Sequence, residues 1–394
     1  MTARIAARIN ALAVICLLPL MSCGSPPAEA PAATADSEFL FIPGTMGADP
    51  STGAYAEDIG TQLTQTMANI EAILHANEMD FSRVVAVNVY LSDVANFAAL
   101  NEVYRTYFPN DPPTRATVAV DLPHPDALVQ VAMIAARPGV TREVVVPTDL
   151  KTPELPYSWG IQAGNTLFVA GATSRDPDTY QPITGDIATQ TRRVWGNIGM
   201  VLETAGLGYG DLSTCTVFLN DPQDFGEMNN AYREFVTNEP PARATVGAQL
   251  VNELFKVEIQ CIAGHGAERT VAIAEGAAPP SSPFSPAIKL GNRVFTAGAV
   301  GSSPDGVAAG DIEAQTRQVL TNLEATMAAA GKTFGDVVAA YVYVPQIAHN
   351  EAVGAILDEV LGIETPKTTV GAELMGPDYL VEIMMITGGS LEAN

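Results

Sequence analysis

The motifs PPTRATVAV at 112–120, PPARATVGA at 240–248 and TPKTTVGAE at 365–373 decide the fold of this chain of 394 residues. Each motif follows an amphipathic segment that opens on an acidic residue, and the spacing between segment and motif is nearly the same in all three cases. Units of this length match ordinary domains and are far longer than solenoid repeats. The sequence therefore predicts three tandem copies of one domain.

We assign the repeats to 38–138, 150–266 and 280–390, and the second shows the plan of the unit most clearly. Its pattern predicts, in order, a strand over 165–170, a helix over 187–205 with Gly206 as C-cap, an alternating strand over 213–219, a helix over 225–236, and a final pair of strands over 246–250 and 255–262. This order is typical of an α+β domain whose two helices cover one face of a mixed β-sheet. Three such domains could bury their uncovered faces together around a pseudo-threefold axis.

The composition indicates a globular protein with a strong negative charge. Apolar residues make up 47% of the chain and charged residues 16%, and the formal net charge is −24 at pH 7. Such a chain can build ordinary hydrophobic cores. Because affinity for nucleic acid depends on clustered Lys and Arg, the charge argues against a nucleic-acid partner.

The first residues resemble a targeting segment. Two arginines precede the apolar run 11–20, which is short for a membrane span but suits a signal peptide. The letters LMSC, ending at Cys23, resemble the bacterial lipoprotein cleavage motif, in which the cysteine carries the lipid. We therefore expect a signal peptide over 1–22, a flexible tether over 23–37, and an exported envelope protein on the periplasmic face, held to the membrane by this lipid only. An ordinary secretory signal is the alternative.

The remaining cysteines and the histidines indicate neither a disulfide framework nor a metal site. Cys215 and Cys261 lie in apolar, strand-like runs, where buried free thiols are the usual state. A disulfide between them stays open, because the sequence gives no distance. The four histidines show no spacing typical of metal ligands.

Several separated elements of the second repeat occur together in one known family. The segment LPYSWGIQAGNTLFVAG at 155–171, the helix GDIATQTRRVWGNIGMVLETAG, and PPARATVGAQL followed by VEIQCIAG resemble the RidA (YjgF) family of enamine/imine deaminases. The similarity recurs once per repeat. It implies the chorismate-mutase-like α+β fold of that family. Family members are usually homotrimers with sites between subunits, so the resemblance implies an intrachain pseudotrimer, and we expect the chain to be a monomer.

The same resemblance implies an activity and its residues. Family members hydrolyse small imines or enamines, such as 2-iminopropanoate and 2-aminoacrylate, to a 2-oxo acid and ammonia without any cofactor. A motif arginine binds the carboxylate of the small-molecule substrate, and a glutamate transfers protons; a guanidinium fork and a sheltered carboxyl suit these roles. The implied catalytic residues are Arg243, Glu258 and Tyr157. The implied substrate-binding residues are Arg115, Asn101, Asn229, Gly171, Thr245, Lys367 and Glu382.

The first and third repeats depart from the family pattern in different ways. The first has Gln130 in place of the glutamate and lacks the Pro-Tyr-Ser segment. The third keeps Glu382, but Lys367 replaces the arginine, Phe284 the tyrosine and Val353 the asparagine. A lysine is a point donor without a planar fork, and a glutamine cannot transfer protons as a carboxyl does. We therefore expect at most one or two working clefts.

Two questions stay open at this stage. A cleft between repeats could pair Arg243 with Glu382, or Arg115 with Glu258, instead of using one repeat's own residues. Each arginine could also close a salt bridge between domains, and the two asparagines could bond only to their helices.

The lost residues favour a different class of function, an extracytoplasmic binding protein for small carboxylates that uses the cleft without chemistry. Ribonuclease activity, known for some relatives, is disfavoured by the acidic balance.

Overall fold

The fold is described from a computed structural model that covers 36–266, 268–277, 280–303, 306, 308 and 310–389. The predicted signal peptide, Cys23 and nearly all of the predicted tether lie outside the described residues. Among the helices in these ranges, none is both long and apolar enough to cross a membrane.

The first repeat forms a four-stranded sheet with two helices. Its elements are β1 (Phe39–Met46), α1 (Ile59–Ala76), β2 (Val84–Leu91), α2 (Phe97–Tyr107), β3 (Thr114–Ala119) and β4 (Val129–Ala136). The strand order is β1-β4-β2-β3, with β2 and β3 parallel and the other pairs antiparallel. Helix α2 is the crossover that parallel neighbours require.

The other two repeats follow the same plan. The second contains β5 (Arg142–Val145), β6 (Gly160–Ala163), β7 (Thr166–Ala172), α3 (Ile187–Thr204), β8 (Leu212–Leu219), α4 (Phe225–Tyr232), β9 (Ala242–Gly247), β10 (Gln249–Leu250) and β11 (Val257–Gly264). The third contains β12 (Arg269–Ala272), β13 (Ala287–Leu290), β14 (Arg293–Thr296), β15 (Ala299–Val300), α5 (Ile312–Ala329), β16 (Val337–Val344), α6 (Asn350–Leu361), β17 (Lys367–Gly371), β18 (Glu373–Leu374) and β19 (Glu382–Thr387).

The acidic residues that open the amphipathic segments are helix caps. Asp58, Asp186 and Asp311 precede α1, α3 and α5, and each side chain accepts a hydrogen bond from the backbone N–H three residues further on, at 2.8 to 3.0 Å. Such a cap satisfies one of the free N–H groups in the first turn. The repeated sequence signal thus has one structural cause in all three units.

Short strands connect each sheet to the next repeat. Strand β10 pairs with β3 of the first sheet, and β18 pairs with β9 of the second. A bridge between Asp121 and Gly371 makes the corresponding contact between the first and third sheets. The order in the second sheet is β18-β9-β8-β11-β7-β6-β5, and in the third it is β12-β13-β14-β19-β16-β17, with β15 on β19.

Most, but not all, of the elements predicted in the second repeat are confirmed. The first helix and first strand appear as α3 and β7, and Gly206, at φ +72°, follows the end of α3. Strand β8 does not alternate, since seven of its eight residues are buried between the helices and the neighbouring repeats. The predicted final pair is wrong: β9 begins at Ala242 and runs parallel to β8, which separates it from β11. The second helix is also shorter than predicted and ends at Tyr232.

The faces of the sheets that the helices leave open share a common core. Phe39 and Phe41 from the first repeat, Ile161 and Phe168 from the second, and Phe295 from the third belong to one buried cluster. The rings of Phe39 and Phe168 meet edge to face at 5.3 Å, a favourable geometry for an aromatic pair. The predicted intrachain pseudotrimer of α+β domains is confirmed.

A buried ion pair joins the first repeat to the third. Arg293 Nη2 donates to Asp36 Oδ1 at 2.7 Å and to the carbonyl of Gly389 at 2.6 Å, and both charged side chains are almost fully buried. The Asp36 carboxylate also accepts the N–H groups of Glu38, Phe39 and Gly389. Asp36, which the sequence assigns to the tether, is therefore fixed in the fold.

Cys215 and Cys261 are joined by a disulfide, which answers the question that the sequence leaves open. They stand directly opposite each other on the antiparallel strands β8 and β11, and both are buried. Pairing of these two strands brings the sulfur atoms together, which the sequence could not show.

Candidate functional site

Each candidate site lies where two neighbouring repeats meet. The first cleft contains Arg115 and Glu258, the second contains Arg243 and Glu382, and the third contains Lys367 and Gln130. In the first two clefts the cation lies on the motif strand of one repeat, and the glutamate lies on a central strand of the following repeat. The open question of pairing is thereby answered in favour of neighbouring repeats.

Glu258 is the ionisable centre of the first cleft. Its side chain is 4% exposed, and Oε1 accepts the N–H of Thr117 at 3.2 Å across the interface. Burial raises the pKa of Glu258 to about 7, although the Thr117 hydrogen bond and the charge of Arg115 act in the opposite direction. A side-chain carbon at Gly171 would overlap the Glu258 carboxylate, so only glycine lets the carboxyl lie against β7. The carboxyl can take up and return a proton near neutral pH.

Arg115 is a buried cation with unused hydrogen-bonding capacity. Its side chain is 4% exposed, and the guanidinium carbon lies 4.8 Å from the ring centre of Tyr104 and 5.7 Å from that of Phe97. Its Nη1 has no hydrogen-bond partner, and Arg115 takes part in none of the ion pairs among the described residues. Leaving a buried donor unsatisfied is costly, so this N–H is available to a ligand or a water molecule.

Aromatic hydroxyls and a second arginine complete the first cleft. The hydroxyls of Tyr157 and Tyr180 lie 2.8 Å apart, and burial raises the pKa of both. The guanidinium carbon of Arg175 lies 4.2 Å from the ring centre of Tyr180 and 4.8 Å from that of Phe255. Arg175, Tyr157 and Phe255 line the same cavity as Arg115 and Glu258.

The second cleft also pairs a buried arginine, Arg243, with a buried glutamate, Glu382. Arg243 is 4% exposed, lies 4.7 Å from the ring centre of Tyr232, and also has an Nη1 without a partner. Burial raises the pKa of Glu382 to about 8, opposed by a hydrogen bond from the backbone of Thr245 and by the charge of Arg243. Gly298 borders the Glu382 carboxylate as Gly171 borders Glu258.

The aromatic residue beside Arg243 distinguishes the second cleft from the first. Phe284, at 5.8 Å from the guanidinium carbon, takes the sequence position of Tyr157 and brings no hydroxyl.

The third cleft has lost both groups. The Lys367 amine donates to the carbonyls of Gly362 at 2.7 Å and Thr365 at 2.9 Å, and it pairs with Asp358 at 3.0 Å. Gln130 donates weakly, at 3.4 Å, to the carbonyl of Gly44. The Lys367 amine therefore binds carbonyl groups of its own loop, and Gln130 cannot exchange a proton.

The predicted catalytic set is not brought together. Glu258 and Tyr157 belong to the first cleft, whereas Arg243 belongs to the second, because the motif strand and the glutamate strand of one repeat face different neighbours. A complete site within the second repeat is thus wrong. The amine of Lys367, predicted to bind substrate, is engaged by Gly362, Thr365 and Asp358.

The remaining predicted residues are structural in part. Asn101 donates to the carbonyl of Phe97 in its own helix, at 2.9 Å, and it does not line the cavity of the first cleft. Asn229 lies on α4, in the repeat that carries Arg243, and its role stays a prediction. Thr245 borders Glu382, while Gly171 borders Glu258.

Sequence reasoning missed Thr117, Tyr180 and Arg175. Thr117 could have been found as the first-repeat counterpart of Thr245. Arg175 was visible four residues after Gly171, at a position where the other repeats have Ala48 and Ser302. No group of His, Cys, Asp and Glu side chains suited to a metal ion occurs among the described residues.

Comparisons with known proteins match one repeat at a time. The sequence profile of the family described as Endoribonuclease L-PSP matches over 28–137, 149–265 and 275–388. A RutC family protein of Pyrococcus horikoshii is 40% identical over 122 residues, which are 31% of this chain and 97% of that protein. The 2-iminobutanoate/2-iminopropanoate deaminase of Mus musculus is 29% identical over 128 residues, which are 32% of this chain and 95% of the mouse protein.

Similarity to a solved structure can also extend over more than a single repeat. A chorismatase aligns with a TM-score of 0.53 over 78% of this chain and 93% of its own, at 17% sequence identity. At that identity the likeness concerns the fold alone.

Proposed function

Because this chain belongs to the endoribonuclease L-PSP family, and specifically resembles its RidA-type deaminases, we propose that its first cleft hydrolyses small 2-imino acids or their enamine tautomers. Membership and the names of the relatives support enamine/imine deamination in general. The choice of cleft and of substrate class is our proposal, and the products would be a 2-oxo acid and ammonia.

The observation that carries the proposal is the pairing of an unsatisfied buried arginine with a buried glutamate. Arg115 has an Nη1 without a partner in the protein, and a carboxylate fits the fork of a guanidinium. Glu258, with its pKa raised to about 7 by burial, lines the same cavity. A substrate held by its carboxylate would place the adjacent imine carbon near this proton carrier.

The proposed reaction needs only water and one proton shuttle. Water adds to the imine carbon while Glu258 passes a proton from the water to the imine nitrogen, which gives a carbinolamine. The same carboxyl then passes the hydroxyl proton to the nitrogen, the C–N bond breaks, and ammonia leaves as the carbonyl forms. Such proton transfer by a positioned side chain contributes about 10²- to 10⁴-fold to a rate.

The second cleft is proposed as a weaker site for the same chemistry. Arg243 and Glu382 again pair an arginine with a glutamate, but Phe284 has no hydroxyl where the first cleft has Tyr157. The third cleft is proposed to be inactive, because its lysine is engaged by its own loop.

The test is release of ammonia and 2-oxo acid from freshly generated 2-iminopropanoate, with three matched variants. We expect Arg115→Ala to remove most of the activity, Arg243→Ala to remove a smaller part, and Lys367→Ala to change nothing. If Arg243→Ala has the largest effect, the second cleft is the main site. If the intact chain does not exceed the spontaneous rate but still binds pyruvate, and Arg115→Ala abolishes that binding, the chain is a binding protein for carboxylates instead.

We also propose that the chain is an exported lipoprotein anchored through Cys23. The LMSC motif supports this, and so does the disulfide between Cys215 and Cys261, since disulfides persist in oxidising compartments. Metabolic labelling with a radioactive fatty acid should mark the wild-type chain and not a Cys23→Ser variant. Equal labelling of both would contradict the proposal.

A further inference from the structure

The first cleft contains one positive charge more than a monocarboxylate needs. Arg115 and Arg175 both line its cavity, and Glu258 is the carboxyl among the lining residues. While Glu258 carries its proton, a substrate with one carboxylate would satisfy Arg115 and leave the second guanidinium without an anionic partner. A second carboxylate on the ligand would supply that partner through a charge-assisted hydrogen bond.

Arg175 is held in place by the protein but is not neutralised by it. Its Nη1 donates to the carbonyl of Tyr180 at 3.0 Å, and its guanidinium lies over the rings of Tyr180 and Phe255. Arg175 takes part in none of the ion pairs between described residues. The exposed Glu154 is itself paired with Lys151 at 2.7 Å. The guanidinium therefore keeps donors available to a ligand.

The two arginines act on the same set of groups. The positive charges of Arg115 and Arg175 both reach Glu258, Tyr157 and Tyr180. Arg115 is buried at 4% exposure, whereas Arg175 is partly exposed. A ligand could thus present one anionic group to the buried arginine and a second to the arginine that remains in contact with solvent.

The second cleft provides an internal comparison. At the position of Arg175 the third repeat has Ser302 and the first has Ala48. The other cation that acts on Arg243 is Arg233, an exposed residue that donates to the carbonyl of Ser281. An arginine at the position of Arg175 is therefore particular to the first cleft, the same cleft that has the Tyr157 hydroxyl.

From these observations we propose that the first cleft is selective for dicarboxylic 2-imino acids, with the carboxylate beside the imine on Arg115 and the side-chain carboxylate on Arg175. The inference rests on the proposed deaminase function and adds its substrate class. Arg175 is a specificity-determining residue in this view, because it contacts a part of the substrate that does not react. The second cleft retains the preference for monocarboxylates.

The experiment compares 2-iminosuccinate, generated from L-aspartate by an oxidase, with 2-iminopropanoate, generated in the same way from L-alanine. We expect kcat/KM to be higher for iminosuccinate, and Arg175→Ser, which installs the serine of the third repeat, to lower it about 10- to 100-fold. A charge-assisted hydrogen bond of about 1.5 to 3 kcal/mol corresponds to such a factor. The value for 2-iminopropanoate should fall by a smaller factor, because removing the charge of Arg175 also acts on Glu258, so the ratio of the two kcat/KM values measures the selectivity.

A second variant guards against a purely structural effect, since Arg175 also contacts Tyr180. Arg175→Lys keeps the charge without the planar fork, and it should retain part of the preference for the dicarboxylate. Equal losses on both substrates in both variants would mean that Arg175 only supports the cleft, and would overturn the proposal.

Two further outcomes separate this inference from the function on which it rests. Turnover of 2-iminopropanoate without any preference for iminosuccinate would support the deaminase function but contradict the proposed selectivity for dicarboxylates. If neither imine is turned over, competition binding of oxaloacetate and pyruvate decides: tighter binding of oxaloacetate, lost in Arg175→Ser, supports two-carboxylate recognition, and equal binding rejects it.

Discussion

The first and third clefts are built from equivalent strands of the same repeated domain, yet only the first keeps an unsatisfied cation. The guanidinium of Arg115 is held over the ring of Tyr104, 4.8 Å from its centre, and its Nη1 finds no partner. The amine of Lys367 instead bonds to the carbonyls of Gly362 and Thr365. A flexible ammonium can satisfy itself locally, whereas a planar guanidinium over a ring cannot turn away as easily. The exchange of the cation, together with Gln130 in place of the glutamate, therefore separates the third cleft from the first.

The same interfaces differ in how they are held together. Where the third repeat meets the first, the buried pair of Arg293 and Asp36 joins them at 2.7 Å. In the first cleft, the buried ionisable residues are Arg115 and Glu258, which line a cavity. One interface thus uses its buried ions for stability, and the other keeps them for a ligand.

The largest expected effect comes from making the first cleft resemble the third. Glu258→Gln installs the residue found at the third cleft, as Gln130, and removes the proton carrier. We expect the rate of 2-iminopropanoate hydrolysis at the first cleft to fall by about 10²- to 10⁴-fold, while carboxylate binding persists. Steady-state kinetics check this, with Glu382→Gln as the matched control at the second cleft. A larger loss in the control would reverse our ranking of the clefts.

The next prediction concerns the interface that uses its buried ions for stability. Asp36→Ala leaves Arg293 buried without its carboxylate, which should lower the free energy of unfolding by about 3 to 5 kcal/mol. Denaturant titration measures the change, and activity per folded molecule should stay close to that of the wild type. The control is Arg317→Ala, which breaks the exposed pair with Glu359 and should cost about 0 to 1 kcal/mol. Equal costs for the two variants would show that the buried pair does not hold the repeats together.

The third prediction uses the pH dependence of stability to compare the clefts. The pKa of Glu258 rises from 4.5 to about 7 on folding, and that of Glu382 to about 8, in both cases mainly through burial. Each group therefore binds its proton more tightly when folded. The stabilisation of the folded state by this proton binding is fully present below about pH 4.5. It is lost as the pH rises through about 7 for Glu258 and through about 8 for Glu382.

For Glu258 the loss should amount to roughly 3 kcal/mol across this range. The difference in unfolding free energy between the wild type and Glu258→Gln, measured from pH 4 to pH 9, should reveal it. The third cleft, with Gln130, contributes no such change. If the difference in unfolding free energy is constant over this range, folding does not raise the pKa of Glu258.

The sequence predicts the repeats and their amphipathic segments, because those follow from local patterns such as the acidic residue that opens each segment. It does not predict which arginine meets which glutamate, since this depends on β8 lying between β9 and β11. The direction of Lys367 depends on carbonyls of its own loop, and the disulfide depends on the register that sets Cys215 opposite Cys261. Arg175 was visible as a letter, but only the fold shows that it lines the cavity with Arg115.

The smallest expected effect concerns the hydroxyl that separates the first cleft from the second. Tyr157→Phe gives the first cleft the aromatic residue that Phe284 supplies in the second, and it breaks the 2.8 Å contact with Tyr180. Losing one hydrogen bond costs about 1 kcal/mol, so kcat/KM for 2-iminopropanoate should fall by about fivefold. The reciprocal Phe284→Tyr variant controls for ring packing and should not lower activity. If Tyr157→Phe leaves the rate unchanged, the hydroxyl is not what distinguishes the two clefts.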